Sequence, residues 1–285
     1  MIPAPFDYAA PETLEEAMAL LAQNPDAKAL AGGHSLLPVM KLRLSTPSML
    51  VDLRKIQELR GIQVSADGAR IGAMTPYIEI LTSQELQPFQ ALLDAVALVG
   101  DVQVRNRGTI GGSLAHNDPA ADLPAVALAL EATIQTTGPS GSRAIPADEF
   151  FVGLLETALE PGEIITSVDF PAHTGGSAYV KFENPASGYA IVGIAARVTV
   201  GADGSAQNVR VAVTGASDYA TRLREVESAL EGKPLVAENI QAAAEQAGQG
   251  LSFNGDIHAS EEYRAHLTRV LSRRALEKAA ERARG

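Results

Sequence analysis

Two glycine-rich turns constrain this chain more than any other feature of its sequence. The first is Ala31-Gly32-Gly33-His34-Ser35, and the second is Thr109-Ile110-Gly111-Gly112-Ser113. Paired glycines allow positive φ angles and let a ligand approach the backbone closely. Successive amide N–H groups in such turns bind anions, and a following helix adds positive potential. Two such turns can hold both phosphates of a pyrophosphate between two lobes, which indicates a dinucleotide cofactor.

An ordinary chain reversal is the alternative interpretation of either turn taken alone. Neither turn has the G-x-G-x-x-G pattern of the Rossmann fold or the G-x-x-x-x-G-K-[ST] pattern of a P-loop. Neither contains Lys or Arg. Phosphate binding would therefore depend on backbone amides and on the hydroxyls of Ser35, Thr109 and Ser113.

The composition excludes several classes of protein. The net charge of −11 and the lack of long basic runs argue against a nucleic-acid partner. The absence of cysteine excludes disulfides, thiolate catalysis and an iron–sulfur cluster bound by this chain alone. The 5 histidines show no metal-ligand spacing, and no Ser-His-Asp triad stands out. The sequence lacks a membrane-length apolar stretch and an export signal, which predicts a cytoplasmic protein.

The hydrophobic patterning predicts an α+β fold with two domains. The 285 residues are enough for two domains, and we place the boundary near residue 175, in the His173-Thr174-Gly175-Gly176-Ser177 segment. Residues 1–175 alternate short strands and helices and divide into lobes of about 1–55 and 56–175. Residues 176–285 carry strands and then helices, which predicts a three-stranded antiparallel sheet covered by helices.

Periodicity and turn residues predict the individual elements. Helices are predicted at residues 11–21, 36–44, 88–99, 123–131, 222–231, 237–247 and 260–283. Strands are predicted at residues 28–31, 49–53, 132–137, 164–170, 178–182, 190–200 and 209–214, with a hairpin over 61–73.

These motifs resemble a known family, the FAD-binding medium subunits of the molybdenum hydroxylases. The group includes xanthine dehydrogenase and aerobic carbon monoxide dehydrogenase, and this chain is most similar to the latter. The resemblance covers the whole chain. Ser113 is a departure from the family pattern, because many relatives carry asparagine at this position. The resemblance rests on both glycine turns with Leu36 and Arg105-Asn106-Arg107-Gly108, on Asp118-Pro119-Ala120-Ala121-Asp122-Leu123-Pro124, on Phe6-Asp7-Tyr8 and on Val51-Asp52-Leu53.

The resemblance implies a fold and a division of labour. FAD would lie between the two lobes of a FAD-binding domain of the vanillyl-alcohol oxidase type, followed by a C-terminal domain. A large partner subunit would carry the molybdenum cofactor and a small one two [2Fe–2S] clusters, in a dimer of heterotrimers. Electrons would pass from the clusters through FAD to quinone, NAD or O2, in the cytoplasm or at the inner face of the membrane. Carbon monoxide is the favoured substrate, with xanthine-, nicotine- or aldehyde-type oxidation as alternatives.

The resemblance also implies which residues contact FAD. Residues 32–35 and 111–113 would hold the pyrophosphate, and Asp122 would touch the nucleotide part. Ile165, Lys181 and Tyr189 would lie near the isoalloxazine ring. No residue of this chain is predicted to be catalytic, because the cofactor supplies the redox chemistry. The predicted set is Ala31, Gly32, Gly33, His34, Ser35, Leu36, Thr109, Gly111, Gly112, Ser113, Asp122, Ile165, Lys181 and Tyr189.

Several of these residues have simpler interpretations. Asp122 could instead cap the helix that follows it, and Lys181 could be a solvated strand lysine. His34 could pack on its own loop, Ile165 could be an ordinary strand residue, and Tyr189 could pack on the C-terminal domain. For the chain as a whole, the alternatives are a stand-alone flavin oxidoreductase and a nucleotide-binding module without redox chemistry.

Overall fold

The computed structural model describes residues 2–285, and its first lobe is built on a small parallel sheet. Strand β3 lies between β1 and β2 in this sheet. The first glycine turn follows the carboxyl end of β2, and ligands commonly bind beyond that end of the strands in parallel sheets. The elements are β1 (Asp7–Ala9), α1 (Leu14–Gln23), β2 (Lys28–Leu30), α2 (Leu36–Lys41) and β3 (Met49–Asp52).

The second lobe is built on a five-stranded antiparallel sheet with the order β4-β5-β10-β6-β7. Its core joins Ile71 and Val168 of the sheet to Leu92 and Val126 of two helices, all fully buried. The elements are β4 (Ile62–Ser65), β5 (Gly68–Gly72), α3 (Tyr77–Thr82), α4 (Gln90–Leu98), α5 (Val102–Arg105), α6 (Ile110–His116), α7 (Asp122–Ala129), β6 (Thr133–Gly138), β7 (Gly141–Pro146), α8 (Ala147–Phe150), β8 (Phe151–Gly153), β9 (Glu156–Thr157) and β10 (Ile164–Pro171).

The C-terminal part is an antiparallel sheet, β11-β12-β13-β14, covered by helices. Helix α11 packs along β11 and β12 and buries Leu271, Ala275 and Leu276. Among residues 2–285 no helix, α11 included, is both long and apolar enough to cross a membrane. The elements are β11 (Gly176–Glu183), β12 (Ala190–Val200), β13 (Ala206–Thr214), β14 (Thr221–Arg222), α9 (Arg224–Leu230), α10 (Ala237–Ala244) and α11 (Glu261–Arg284).

Helix α7 joins the two parts of the molecule. All of its eight residues are buried, as expected for a helix whose residues after Asp122 are all apolar. It lies against β12 and β13 of the C-terminal sheet as well as against α4. A second contact comes from Asp94 of α4, which accepts hydrogen bonds from Arg282, Lys278 and the amide of Tyr179. The C-terminal part is therefore attached to the second lobe by a buried helix and a partly buried carboxylate.

The predicted α+β class is confirmed, with corrections to individual elements. The C-terminal sheet has four strands rather than three, because Thr221–Arg222 pairs with β13 where the helix predicted at 222–231 would begin. Helix α2 ends at Lys41 instead of residue 44, since Arg43 takes a left-handed φ of 57°. The predicted boundary near residue 175 falls between β10 and β11, and the division into domains there stays a prediction.

Candidate functional site

The first glycine turn presents backbone amides without partners in the protein. Gly33 has a φ of 78°, a left-handed conformation that favours glycine. No atom of residues 2–285 accepts a hydrogen bond from the amides of residues 32–35. Ser35 precedes α2 without capping it through its side chain. Four successive unpaired donors suit this turn to binding an anion.

The two glycine turns touch each other, although they are far apart in sequence. A Cβ atom at Gly32 would strike the carbonyl oxygen of Arg107 and lie 2.8 Å from the Cα of Gly108. A Cβ at Gly112 would lie 3.2 Å from the Cβ of Ala31. The glycines therefore let the first lobe approach the second lobe closely, and both turns border one site.

The second glycine turn differs from the predicted nest, because the amides of residues 110–113 are already paired within the protein. Thr109 caps α6 and accepts a hydrogen bond from the Gly112 amide through its hydroxyl, at 3.1 Å. The Gly111 amide donates to the carbonyl of Ala73 at 2.9 Å, and the Ser113 amide donates to Thr109. Contact of Thr109, Gly111, Gly112 and Ser113 with FAD stays a prediction, but the amides of residues 110–113 already donate to protein acceptors.

Two tyrosines lie against the glycine turns. Tyr189, 45% exposed, sits beside Ser35. Burial and the Asp118 carboxylate raise its pKa, and a hydrogen bond with Ser35 opposes them. Tyr77 lies under the second turn, where a Cβ at Gly108 would be 2.5 Å from its ring. Tyr77 was not predicted from the sequence, because a tyrosine at the start of a short helix resembles any core aromatic.

Asp122 is a buried carboxylate in the first turn of α7. The helix is capped by Ala121 without a side-chain bond, so the interpretation of Asp122 as an N-cap is wrong. One carboxylate oxygen accepts a hydrogen bond from the Tyr179 hydroxyl at 2.5 Å, and Lys181 lies at 3.2 Å. Burial raises the pKa of Asp122 to about 6, and the Lys181 charge and the Tyr179 hydroxyl oppose this rise.

Lys181 is buried, and its ammonium group joins three segments. The side chain is 1% exposed, so its interpretation as a solvated lysine is wrong. Its Nζ donates to the carbonyl oxygens of Leu98 and Gly188, both at 2.7 Å, and to Asp122. Because Asp122 compensates its charge, the direct electrostatic effect of Lys181 on a nearby flavin would be small.

The remaining predicted residues show no feature specific to a cofactor site. Ile165 is buried in β10 next to a bulge in its pairing with β6, and its side chain belongs to the core. Leu36 packs against a small cluster under the first turn. Ala31 is half-buried, and His34 is exposed. Their contact with FAD stays a prediction.

The site has the features of a cofactor-binding site. Among residues 2–285, no group of three or more His, Asp or Glu side chains is placed to hold a metal ion. The unpaired amides at residues 32–35 and the left-handed conformation of Gly33 between them suit the pyrophosphate of FAD. The buried pair of Asp122 and Lys181 and the phenol of Tyr189 supply polar groups nearby. The residues present therefore fit FAD.

Comparisons with known proteins agree with this site. A family model described as the FAD binding domain in molybdopterin dehydrogenase matches residues 4–173. A second, the CO dehydrogenase flavoprotein C-terminal domain, matches residues 177–279. Together they account for nearly the whole chain, and they confirm the resemblance on which the assignment of FAD rests.

Individual relatives match over their full length. A 6-hydroxypseudooxynicotine dehydrogenase complex subunit alpha of Paenarthrobacter nicotinovorans is 40% identical, over 100% of this chain and 97% of that one. The carbon monoxide dehydrogenase medium chain of Hydrogenophaga pseudoflava is also 40% identical, over 97% of each chain. A solved structure of carbon monoxide dehydrogenase from that organism superposes with a TM-score of 0.94 and covers 99% of both chains. This chain therefore belongs to the FAD-binding medium subunits of the molybdenum-containing dehydrogenases.

Proposed function

We propose that the pyrophosphate of FAD binds at the first glycine turn. The observation that carries the proposal is the row of unpaired amides at residues 32–35, at the contact between the two lobes. These amides donate hydrogen bonds to the phosphate oxygens, and the short side chain of Ser113 borders the same site from the second turn. We infer that the rest of the cofactor lies near the start of α7, the end of β11 and the turn before β12, where Asp122, Lys181 and Tyr189 are predicted to contact it.

The chain then serves as an electron-transfer subunit. When bound, FAD would supply the redox chemistry that links an electron-donating partner to an external acceptor. The protein's own residues bind and orient the cofactor, and this chain supplies no acid, base or nucleophile to the reaction. The proposed partners are a large molybdenum subunit and a small subunit with two [2Fe–2S] clusters, in a dimer of heterotrimers. Quinone, NAD or O2 is the proposed acceptor, and the proposed location is the cytoplasm.

Carbon monoxide is the proposed substrate of the complex. Medium chains of carbon monoxide dehydrogenase are 40% and 37% identical to this chain, and the former superposes with a TM-score of 0.94. Oxidation of an N-heteroaromatic compound of the nicotine type is the second candidate. It is favoured by the equally high identity of the 6-hydroxypseudooxynicotine dehydrogenase subunit. The substrate is selected by the large subunit, so this chain alone does not distinguish the two.

Anaerobic exposure of the purified complex to carbon monoxide tests the proposed function. We expect the visible absorbance of the flavin and of the iron–sulfur clusters to bleach after carbon monoxide is added. Bleaching by a hydroxylated nicotine derivative, with no response to carbon monoxide, would favour the second candidate. A complex without a flavin spectrum would contradict the proposal for this chain.

A further inference from the structure

The segment that leads from α6 to Asp122 is held by the C-terminal part of the molecule. Each backbone carbonyl of residues 119–121 accepts a hydrogen bond from that part. The Gly215 amide donates to Pro119 at 2.7 Å, and the Ala190 amide donates to Ala120 at 3.3 Å. The Thr214 hydroxyl lies 2.9 Å from the carbonyl oxygen of Pro119 and 2.7 Å from that of Ala121.

Thr214 has the central position among these contacts. Its side chain is buried, with a residue exposure of 1%. A hydroxyl has one proton, so the two carbonyl oxygens share it in a three-centre bond. The carbonyl of Pro119 keeps the Gly215 amide as a second donor, whereas no other protein group in residues 2–285 donates to the carbonyl of Ala121 through a loop or side-chain hydrogen bond. Loss of the hydroxyl would remove the hydrogen bond that ties the Ala121 carbonyl to the C-terminal sheet.

The strand ends that carry this contact are fixed from behind. Arg264 of α11 is 6% exposed and donates to the carbonyls of Ile191 and Gly215, both at 2.5 Å. Its other nitrogen donates to Asp256 at 2.6 Å. The start of β12 and the end of β13 are therefore held in one position, and Thr214 with them.

The same sheet also holds the Asp122 side chain. Tyr179 and Lys181 of β11 bind the carboxylate, as described above. Gly193 of β12 pairs with both Lys181 and Thr214 in the sheet, and a Cβ there would strike the Tyr179 hydroxyl and lie 2.9 Å from Thr214 Cγ2. The missing side chain leaves the space through which Tyr179 reaches Asp122. Thr214 and Tyr179 therefore act on one segment from one face of one sheet.

We propose that Thr214 is a positioning residue of the FAD site. Its hydroxyl fixes the backbone of residues 119–121. That backbone in turn holds Asp122 at the distance from the glycine turns that the cofactor requires. The C-terminal sheet is then a structural part of the FAD site. This inference rests on the proposed function, because it assumes that FAD binds beside Asp122.

The variant Thr214→Val in the full chain tests this proposal, because it keeps the shape and removes the hydroxyl. Thr214→Ser keeps a hydroxyl at this position. Thr199→Val is a matched control on the same sheet, because the Thr199 hydroxyl donates to the Thr174 carbonyl and not to residues 119–121. Three quantities are measured: amide hydrogen exchange at residues 118–122 without FAD, the dissociation constant of FAD, and the visible circular dichroism of bound FAD. If Thr214→Val does not fold, Thr214→Ala replaces it.

We expect faster exchange at residues 118–122, roughly tenfold weaker FAD binding and a changed flavin dichroism in Thr214→Val. In Thr214→Ser and in Thr199→Val, the exchange rate, the FAD affinity and the flavin dichroism should all stay close to those of the wild type. Unchanged exchange, or faster exchange with unaltered FAD binding and dichroism, would overturn the proposal. A wild-type chain that takes up no FAD would contradict the proposed function instead, and the exchange measurement would still decide whether Thr214 holds the segment.

Discussion

Replacement of Lys181 by methionine is expected to lower the free energy of unfolding by about 3–5 kcal/mol near pH 8. The substitution leaves the Asp122 carboxylate buried without its counter-charge, and the carbonyls of Leu98 and Gly188 lose their donor. Urea denaturation of the variant and the wild type, followed over a range of pH, measures the difference.

The pH dependence has a defined sign. Burial already raises the pKa of Asp122 from 3.8 to about 6, and loss of the lysine charge raises it further. The folded variant then holds a proton that the unfolded chain has released, so its stability falls as the pH rises from about 4 through the folded pKa. The deficit relative to the wild type should be largest near pH 8 and smaller near pH 5.

The double variant Lys181→Met with Asp122→Asn is the matched control. It removes both charges, so the pH-dependent part of the deficit should disappear, while the cost of the two unpaired carbonyls remains. A deficit of Lys181→Met that is the same at both pH values would show that Asp122 does not carry the uncompensated charge.

The second large effect is expected at the first glycine turn. Gly33→Ala should weaken FAD binding by a factor on the order of 100 or more, because two charge-assisted hydrogen bonds of roughly 1.5–3 kcal/mol each depend on the turn. The φ of 78° at Gly33 is strained for alanine, and a Cβ would lie 3.1 Å from Leu37 Cδ1. Relief of that strain turns the amides of the nest away from the phosphates. Fluorescence titration with FAD measures the affinity.

Gly204→Ala is the matched control for this variant. Gly204 has a φ of 80°, and a Cβ there would meet no atom within 4 Å. It lies in the turn before β13, so it shares the backbone strain but not the site. Equal losses of FAD affinity in both variants would show that general destabilisation causes the effect. Gly111 is unsuitable for the test, since a Cβ there would lie 2.5 Å from the Cβ of Ala73 and disturb folding.

Local patterns predicted the regular elements of the fold well. The strand predicted at 190–200 has those bounds, and the helix predicted at 88–99 is observed at Gln90–Leu98. Both are apolar segments bounded by turn residues. Strand β7 was not predicted, because its mostly exposed side chains give no apolar alternation. Helix α6 was not predicted either, since two glycines lower the local helix propensity. The helix is stabilised by the Thr109 cap and by the hydrogen bond from the Gly111 amide to the Ala73 carbonyl.

The candidate site could be predicted in part. The glycine turns are visible in the sequence. Their contact across the lobes agrees with the prediction that both belong to one site. The partners of Asp122 are not visible, because Tyr179 and Lys181 lie 57 and 59 residues further along the chain. The pairing of the second-turn amides was also hidden, because it depends on the position of Ala73 in the neighbouring strand connection. Such contacts depend on tertiary packing, which no local pattern encodes.

The composition of the native assembly tests the central claim most directly. The chain is isolated from its source under mild conditions, and FAD, molybdenum and iron are measured across the fractions that contain it. The account predicts that all three elute together with this chain and with two further chains, one larger and one smaller. A chain that elutes alone with FAD, without molybdenum or iron, would contradict its assignment as the electron-transfer subunit of a molybdenum-containing dehydrogenase.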